Sequence, residues 1–213
     1  MNTNHIKKYK KGLKLTKKQR EILIGLILGD GHLETQNKGR TYRLKVEQSI
    51  RHESYINWLY ENFREWVLTP PKRKINHNKR FGKDTLSLYF NTISHASFRF
   101  YAQQFYKNKR KVISKQICQW ITPLSLAVWF MDDGSVKSKL HRGKIINTQS
   151  FTKKEVGLLR LCLEKKFGIK SNLRKQKDKD WQIYLLSETI DKFYQLVKMY
   201  ILPSMQYKLI KLD

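Results

Sequence analysis

Two aspartates, Asp30 and Asp133, end two apolar stretches of equal length, LIGLILGDG at 23 to 31 and LAVWFMDDG at 126 to 134. A carboxylate at a helix C-terminus is electrostatically adverse, because the unpaired carbonyls there already carry partial negative charge. A bound cation relieves that repulsion. If the two helices pack along their apolar faces, both acids emerge at the same end, with the carbonyls of Gly29 and Asp132 beside them. Carboxylate, carbonyl and water form a hard-oxygen site suited to Mg²⁺, for which Mn²⁺ can substitute, and a substrate phosphate completes the octahedron. Such an ion activates water and stabilises the leaving oxygen in phosphodiester hydrolysis. A single Asp-Gly after an apolar helix is more simply a helix end with glycine in the left-handed position. Its occurrence twice is what points to chemistry.

The elements that must carry these acids recur in one order. Periodicity predicts a helix over 17–30, strands near 32–37 and 41–49, a helix over 53–66, strands near 71–76 and 84–91, and a helix over 95–106. A basic segment, Lys107 to Lys115, reads as a linker. A second helix ends at Asp133, over 123–133. It is followed by a basic hairpin across 135–149, a helix over 152–167, strands near 170–176 and 181–186, and a helix over 187–200. Both halves therefore read helix, hairpin, helix, hairpin, helix, an internal duplication giving an α+β fold of two αββαββα repeats, 1–113 and 114–213. A Gln-Ser pair follows each motif at a similar distance, Gln48-Ser49 and Gln149-Ser150. Gly25 and Gly29, four apart on one helix face, leave no side chain to hold a partner backbone away, and Ala127 and Val128 stand ready opposite.

Composition narrows the partner. The 213 residues hold 44 Lys+Arg against 17 Asp+Glu, a net charge of +27, which attracts a polyanion. No apolar run approaches the roughly 20 residues a bilayer span requires, so nucleic acid is expected and a membrane is not. With 40% hydrophobic and 12% aromatic residues the chain has the material for a packed core. Cys118 and Cys162 lack CxxC spacing and read as buried free thiols, consistent with a reducing, intracellular setting in an organelle or a bacterial cytoplasm. The histidines show no HxxxH spacing, and neither a phosphate-binding glycine loop nor a nucleophilic serine elbow is present.

LIGLILGDG and LAVWFMDDG resemble the two copies of the motif that names the LAGLIDADG homing endonucleases, in their single-chain, two-repeat, intron-encoded form. The resemblance implies that the motif helices form the interface between the halves. It also implies that each half presents a curved four-stranded antiparallel sheet, the two together forming a saddle on the DNA major groove. Asp30 and Asp133 match the catalytic, metal-binding acids at the eighth motif position, each serving one strand of a double-strand break with short 3′ overhangs. The family also supplies a lysine and often a glutamine from each half, and here Lys111 in KRKVI, Lys208 in MQYKL, Gln48 and Gln149 match. Val128 stands where the motif usually has a small residue, and Leu28 and Met131 replace its first acid, departures that bear on helix packing.

The basic hairpins offer a long surface for double-stranded DNA. Arg40, Arg43 and Lys45 come from the first hairpin, and Lys72, Arg73, Lys74, Asn76 and Arg80 from the second. Lys137, Lys139, Arg142 and Lys144 come from the third, and Asn172, Arg174, Lys175 and Lys177 from the fourth. Most are expected to neutralise phosphates and some to read base edges. Because the halves differ in these side chains, the expected target is long and asymmetric and the functional species a monomer. Two alternatives use the same scaffold: a maturase that binds intron RNA, and a sequence-specific DNA-binding regulator that does not cleave and has no need of its acid pair.

Overall fold

The computed structural model describes residues 3–78, 82–136, 141–176 and 180–209. The chain divides into two units, Met1–Arg20 with Asp30–Ala102, and Glu21–Gly29 with Gln103–Asp213.

In the first unit, apolar and polar residues alternate from Arg43 to Ser49, and every second side chain there is buried. This stretch is β2 (Arg43–Ser49), following α1 (Thr3–Gly12), α2 (Lys17–Leu28) and β1 (His32–Glu34). After it come α3 (Glu53–Asn62), β3 (Lys72–Asn78), β4 (Lys83–Asn91) and α4 (Arg99–Phe105), the last crossing into the second unit. The sheet is antiparallel with order β1-β2-β4-β3. Leu33, Leu44, Val46, Leu88 and Phe90 fill one face, to which α3 packs. Tyr55, Phe63, Trp66 and Phe98 are fully buried, each contributing on the order of 2–3 kcal/mol of burial. The N-terminal helix α1 is not legible as periodicity in so lysine-rich a stretch. It is fastened by Tyr9 Oη donating to the Glu65 carbonyl at 2.6 Å, and by a 3.0 Å hydrogen bond from His95 Nε2 to the Lys10 carbonyl.

The second unit repeats the plan. Residues 107–115, expected as a linker, instead begin a tight hairpin of β5 (Tyr106–Lys107) and β6 (Arg110–Lys111), turned through left-handed Asn108 and Lys109. Then follow α5 (Ile117–Trp120), α6 (Pro123–Asp133), β7 (Gly134–Val136), β8 (Lys144–Asn147), α7 (Lys153–Phe167), β9 (Ser171–Lys175), β10 (Trp181–Leu185) and α8 (Ile190–Val197). Thr122 and Ser125 form a capping box at the start of α6 with Pro123 in its first turn, and Leu124 to Met131 are all buried. Thr152 and Glu155 cap α7 in the same way, and Gly168 at φ 64° ends it. The sheet order is β7-β8-β10-β9, matching the first unit strand for strand.

Both cysteines are free thiols. Cys162 is buried as expected, but Cys118 is half-exposed. Burial, then a hydrogen bond with Cys118, pushes the Cys162 thiol up. Among the described residues no helix is long and apolar enough to cross a membrane.

Candidate active site

The Glu21–Gly29 stretch of the first motif packs on α6 within the second unit. A Cβ at Gly25 would lie 2.5 Å from the Ser125 carbonyl oxygen and 2.6 Å from Val128 Cβ, and one at Gly29 would lie 2.6 Å from Asp132 Cβ. The bulk of Val128, a departure from the motif, is therefore absorbed by the glycine facing it, and the helices approach at backbone distance. Neither motif glycine is left-handed, because Gly39, Gly82 and Gly168 alone among the described glycines have positive φ. Gly134 is extended, with φ −72° and ψ 141°, and a Cβ there would run into the Phe130 ring.

Close approach leaves the helix ends to be satisfied by side chains, since the last four carbonyls of a helix lack intrahelical partners. At the end of α6 all four are accounted for. The Gly134 amide donates to Phe130 O, and Lys208 Nζ donates to Met131 O at 2.5 Å and to Asp132 O at 3.1 Å. Asn147 Nδ2 donates to Asp133 O at 2.8 Å. At the first motif Lys111 Nζ donates to Gly29 O at 2.5 Å. Gly29 and Asp132 occupy the same motif position, so two lysines from unrelated sequence contexts, KRKVI and MQYKL, do the same thing. Each carbonyl expected beside a metal thus accepts a lysine, and each retains a second lone pair.

Asp30 is exposed and its Oδ2 accepts from Gln48 Nε2 at 2.9 Å. The expected counterpart differs. Gln149 Nε2 donates to Gln176 Oε1 at 2.8 Å and to Asn147 Oδ1 at 3.5 Å. Strand register explains why. His32 pairs with Lys45 and Ser135 with Ile145, so the position equivalent to Gln48 is Thr148, and Gln149 lies one residue on, facing the other side of the sheet.

The same parity sorts the basic residues. On the open face of the first sheet lie Arg43, Lys45, Lys72, Lys74 and Asn76, and on that of the second Asn172 and Arg174. Three expectations are corrected. Arg73 pairs with Leu88 and Lys175 with Trp181, so both point to the helix side. Lys144 is equivalent to Leu44 and only 1% exposed, its Nζ 5.7 Å from the centre of the Tyr194 ring, and burial pushes its pKa down. Arg80, Lys137, Lys139 and Lys177 lie outside the described residues. Arg40 is exposed in the turn before β2, and one Arg142 nitrogen, Nη2, donates to both Asp191 carboxylate oxygens at 2.9 Å.

Acids temper the open face of the first sheet. Glu34 pairs with Arg43 and Lys45, and Glu47 with Lys74, Asn76 and Ser87. Burial raises the pKa of both carboxyls, but these partners outweigh it and hold them below the ordinary value. Residues missed from sequence are Ser87 and Tyr89 on the first sheet and Asn147, Gln176 and Gln182 on the second. The strand parity of Leu88 and Ile183 points to Ser87, Tyr89 and Gln182. Among the described residues no three His, Cys, Asp or Glu side chains converge on a metal position. The donors at each motif end are one aspartate and backbone carbonyls, all oxygen, which fit a hard divalent cation completed by water and phosphate.

A model of the LAGLIDADG DNA endonuclease family matches residues 20–193, a span that holds both motifs and both sheets. The chain belongs to the LAGLIDADG DNA endonuclease family. A probable intron-encoded endonuclease of Wickerhamomyces canadensis is 34% identical over 98% of this chain and 91% of its own length. The cytochrome b mRNA maturase bI2 of Saccharomyces cerevisiae is 35% identical over 88% of this chain and 46% of its own. Among solved structures, the homing endonuclease I-WcaI bound to its DNA recognition sequence superposes with a TM-score of 0.92 and 33% identity, covering 100% of this chain and 95% of that one. The LAGLIDADG architecture of mixed helices and antiparallel sheets is thus the fold of this protein.

Proposed function

We propose that this protein is a site-specific homing endonuclease that makes a double-strand break in a long, asymmetric DNA target as a monomer and so promotes intron mobility inside the cell. The observation that carries the reading is the repeated arrangement at the motif ends: an aspartate, Asp30 or Asp133, preceded by a carbonyl that holds a lysine. An inert duplication has no reason to keep a carboxylate at each helix end and a cation beside each.

The repeats, 1–113 and 114–213, each supply one acid and one lysine. At each motif end a divalent cation, Mg²⁺ or Mn²⁺, would be held by the aspartate, Asp30 or Asp133, and the carbonyl before it, Gly29 or Asp132, and would supply an activated water and neutralise the leaving oxygen. Gln48 orients the Asp30 carboxylate through Oδ2. Lys111 and Lys208 hold positive charge within hydrogen-bond reach of the residues preceding the acids, where negative charge develops as a phosphodiester opens. Lys45, Lys72, Lys74 and Arg174 on the open sheet faces neutralise phosphates, and Asn76 and Asn172 present amides to base edges.

Digestion of a plasmid carrying the uninterrupted host locus, in Mg²⁺ at modest salt, tests this. Wild type should give one discrete linear product. Asp30→Asn and Asp133→Asn should each bind and fail to linearise. Specific binding without any cut by wild type would leave a DNA-binding regulator. The similarity to mRNA maturases favours a second reading, intron RNA binding, and retention of splicing stimulation by the two Asn variants would separate it from cleavage.

A further inference from the structure

On the open face of the second sheet four side-chain amides close into a ring. Gln182 Nε2 donates to Asn147 Oδ1 at 2.6 Å and to Gln176 Oε1 at 3.0 Å, while Gln149 Nε2 donates to Gln176 Oε1 at 2.8 Å and to Asn147 Oδ1 at 3.5 Å. The ring runs from exposed Gln149 and Gln176 to Gln182, which is 4% exposed. Asn147 is its inner member, because its Nδ2 faces away from the ring and donates to the carbonyl of Asp133. The first sheet is built differently at this position. The equivalent residue is Glu47, which has no donor and spends its carboxylate on Lys74, Asn76 and Ser87.

We propose that Asn147 is the positioning residue of the C-terminal acid, its amide fixed by Gln182 and holding the Asp133 backbone, so that the outer amides Gln149 and Gln176 connect the DNA-reading face to the cut of one strand. The inference rests on the nuclease reading above. Hydrogen bonds among exposed amides are nearly balanced by those the same groups make to water. Glutamine amides also match the N6 and N7 pattern of adenine. A base edge engaging Gln149 or Gln176 therefore competes with the ring at little cost, and a reorganisation there reaches Asp133 through Asn147. A cap that only finishes α6 would affect stability; a positioning residue affects the rate of one strand.

The test is single-turnover cleavage of a supercoiled plasmid carrying the target, with the strands separately end-labelled on linear DNA, for wild type, Asn147→Leu, Asn147→Ala and Asn147→Gln. Affinity and Tm are measured beside the rates. The expectation is a roughly 10- to 100-fold slower cut of one strand in the Leu and Ala variants, the range typical of lost supporting contacts. Nicked circles should accumulate, with Kd and the other strand's rate within about twofold, and Asn147→Gln should recover part of the loss by restoring a donor. Equal slowing of both strands, no slowing, or weaker binding with unchanged cutting of bound DNA would overturn the role. If wild type itself leaves the plasmid uncut, the nuclease reading falls and the role with it; a linear wild-type product with no strand bias in the variants rejects the positioning role alone. Should the Leu and Ala variants unfold, Gln182→Leu, which frees Asn147 without touching Asp133, must show the same strand bias, and its absence would reject the role.

Discussion

Gln48 Nε2 donates to Asp30 Oδ2 at 2.9 Å from a strand position that otherwise belongs to the core. The buried face of β2 thus ends in a polar group aimed at the acid. Gln48→Leu keeps the bulk and removes the donor, so it should slow one strand's cut by roughly 10- to 100-fold with binding unchanged. Single-turnover assays on end-labelled DNA would read this as nicked product, and loss of both cuts together would count against it.

Lys72 and Arg73 are neighbours in sequence on opposite faces of β3, as are Arg174 and Lys175 on β9. Each lost phosphate contact should flatten the slope of log K against log salt by about 0.9. Lys72→Ala and Arg174→Ala are expected to do so, and Arg73→Ala and Lys175→Ala to leave the slope alone. Fluorescence anisotropy over a salt series decides it.

Much of the molecule is legible in its sequence. The repeated motif gave Asp30 and Asp133, and α6 ends at Asp133 as its pattern required. Lys111 and Lys208 could be matched only through the family, since nothing in KRKVI or MQYKL distinguishes them from the other lysines; their partners are carbonyls 82 and 76 residues away. The shared Gln-Ser pair suggests Gln149 as the counterpart of Gln48 but hides a one-residue difference in register, and one residue is a change of face. A basic residue on a hairpin is ordinarily solvated, so Lys144 is expected on the open face, but Ile146, of the same parity and fully buried, marks its face as interior.

That lysine predicts a pH dependence. Burial lowers its pKa in the folded chain, so the unfolded chain holds the proton more tightly, and stability rises with pH until the ordinary value of 10.5 is reached. Lys144→Leu, the residue type of Leu44, should be more stable than wild type, with Tm higher by about 2–4 °C per kcal/mol gained. The advantage should be full at pH below the lowered pKa and shrink as 10.5 is approached. Urea titrations of both proteins at pH 7 and pH 10 would check this, and an advantage independent of pH would contradict it.

Glu155 gives the opposite sign. Burial raises its pKa, but hydrogen bonds from Arg110 and Thr152 outweigh this and lower it from 4.5 to about 2. The stability it contributes is present above 4.5 and is lost as pH falls toward about 2. Glu155→Gln should cost about 1 kcal/mol at neutral pH, a capping-sized effect because Arg110 is half-exposed. The gap to wild type should close in acid, as thermal melts from pH 7 to pH 3 would record. Arg110 adjoins Lys111, so the same variant is expected to slow cleavage as well.

The registers of the two sheets also show that the first connection of each repeat differs in length. From His32 to its partner Lys45 the chain advances 13 residues, whereas from the equivalent Ser135 to Ile145 it advances 10. Each ladder holds three pairs, so the three further residues fall in the connection that follows β1. The half-site read by the N-terminal repeat should therefore run longer than the other, and the centre of cleavage should fall off the middle of the protected footprint.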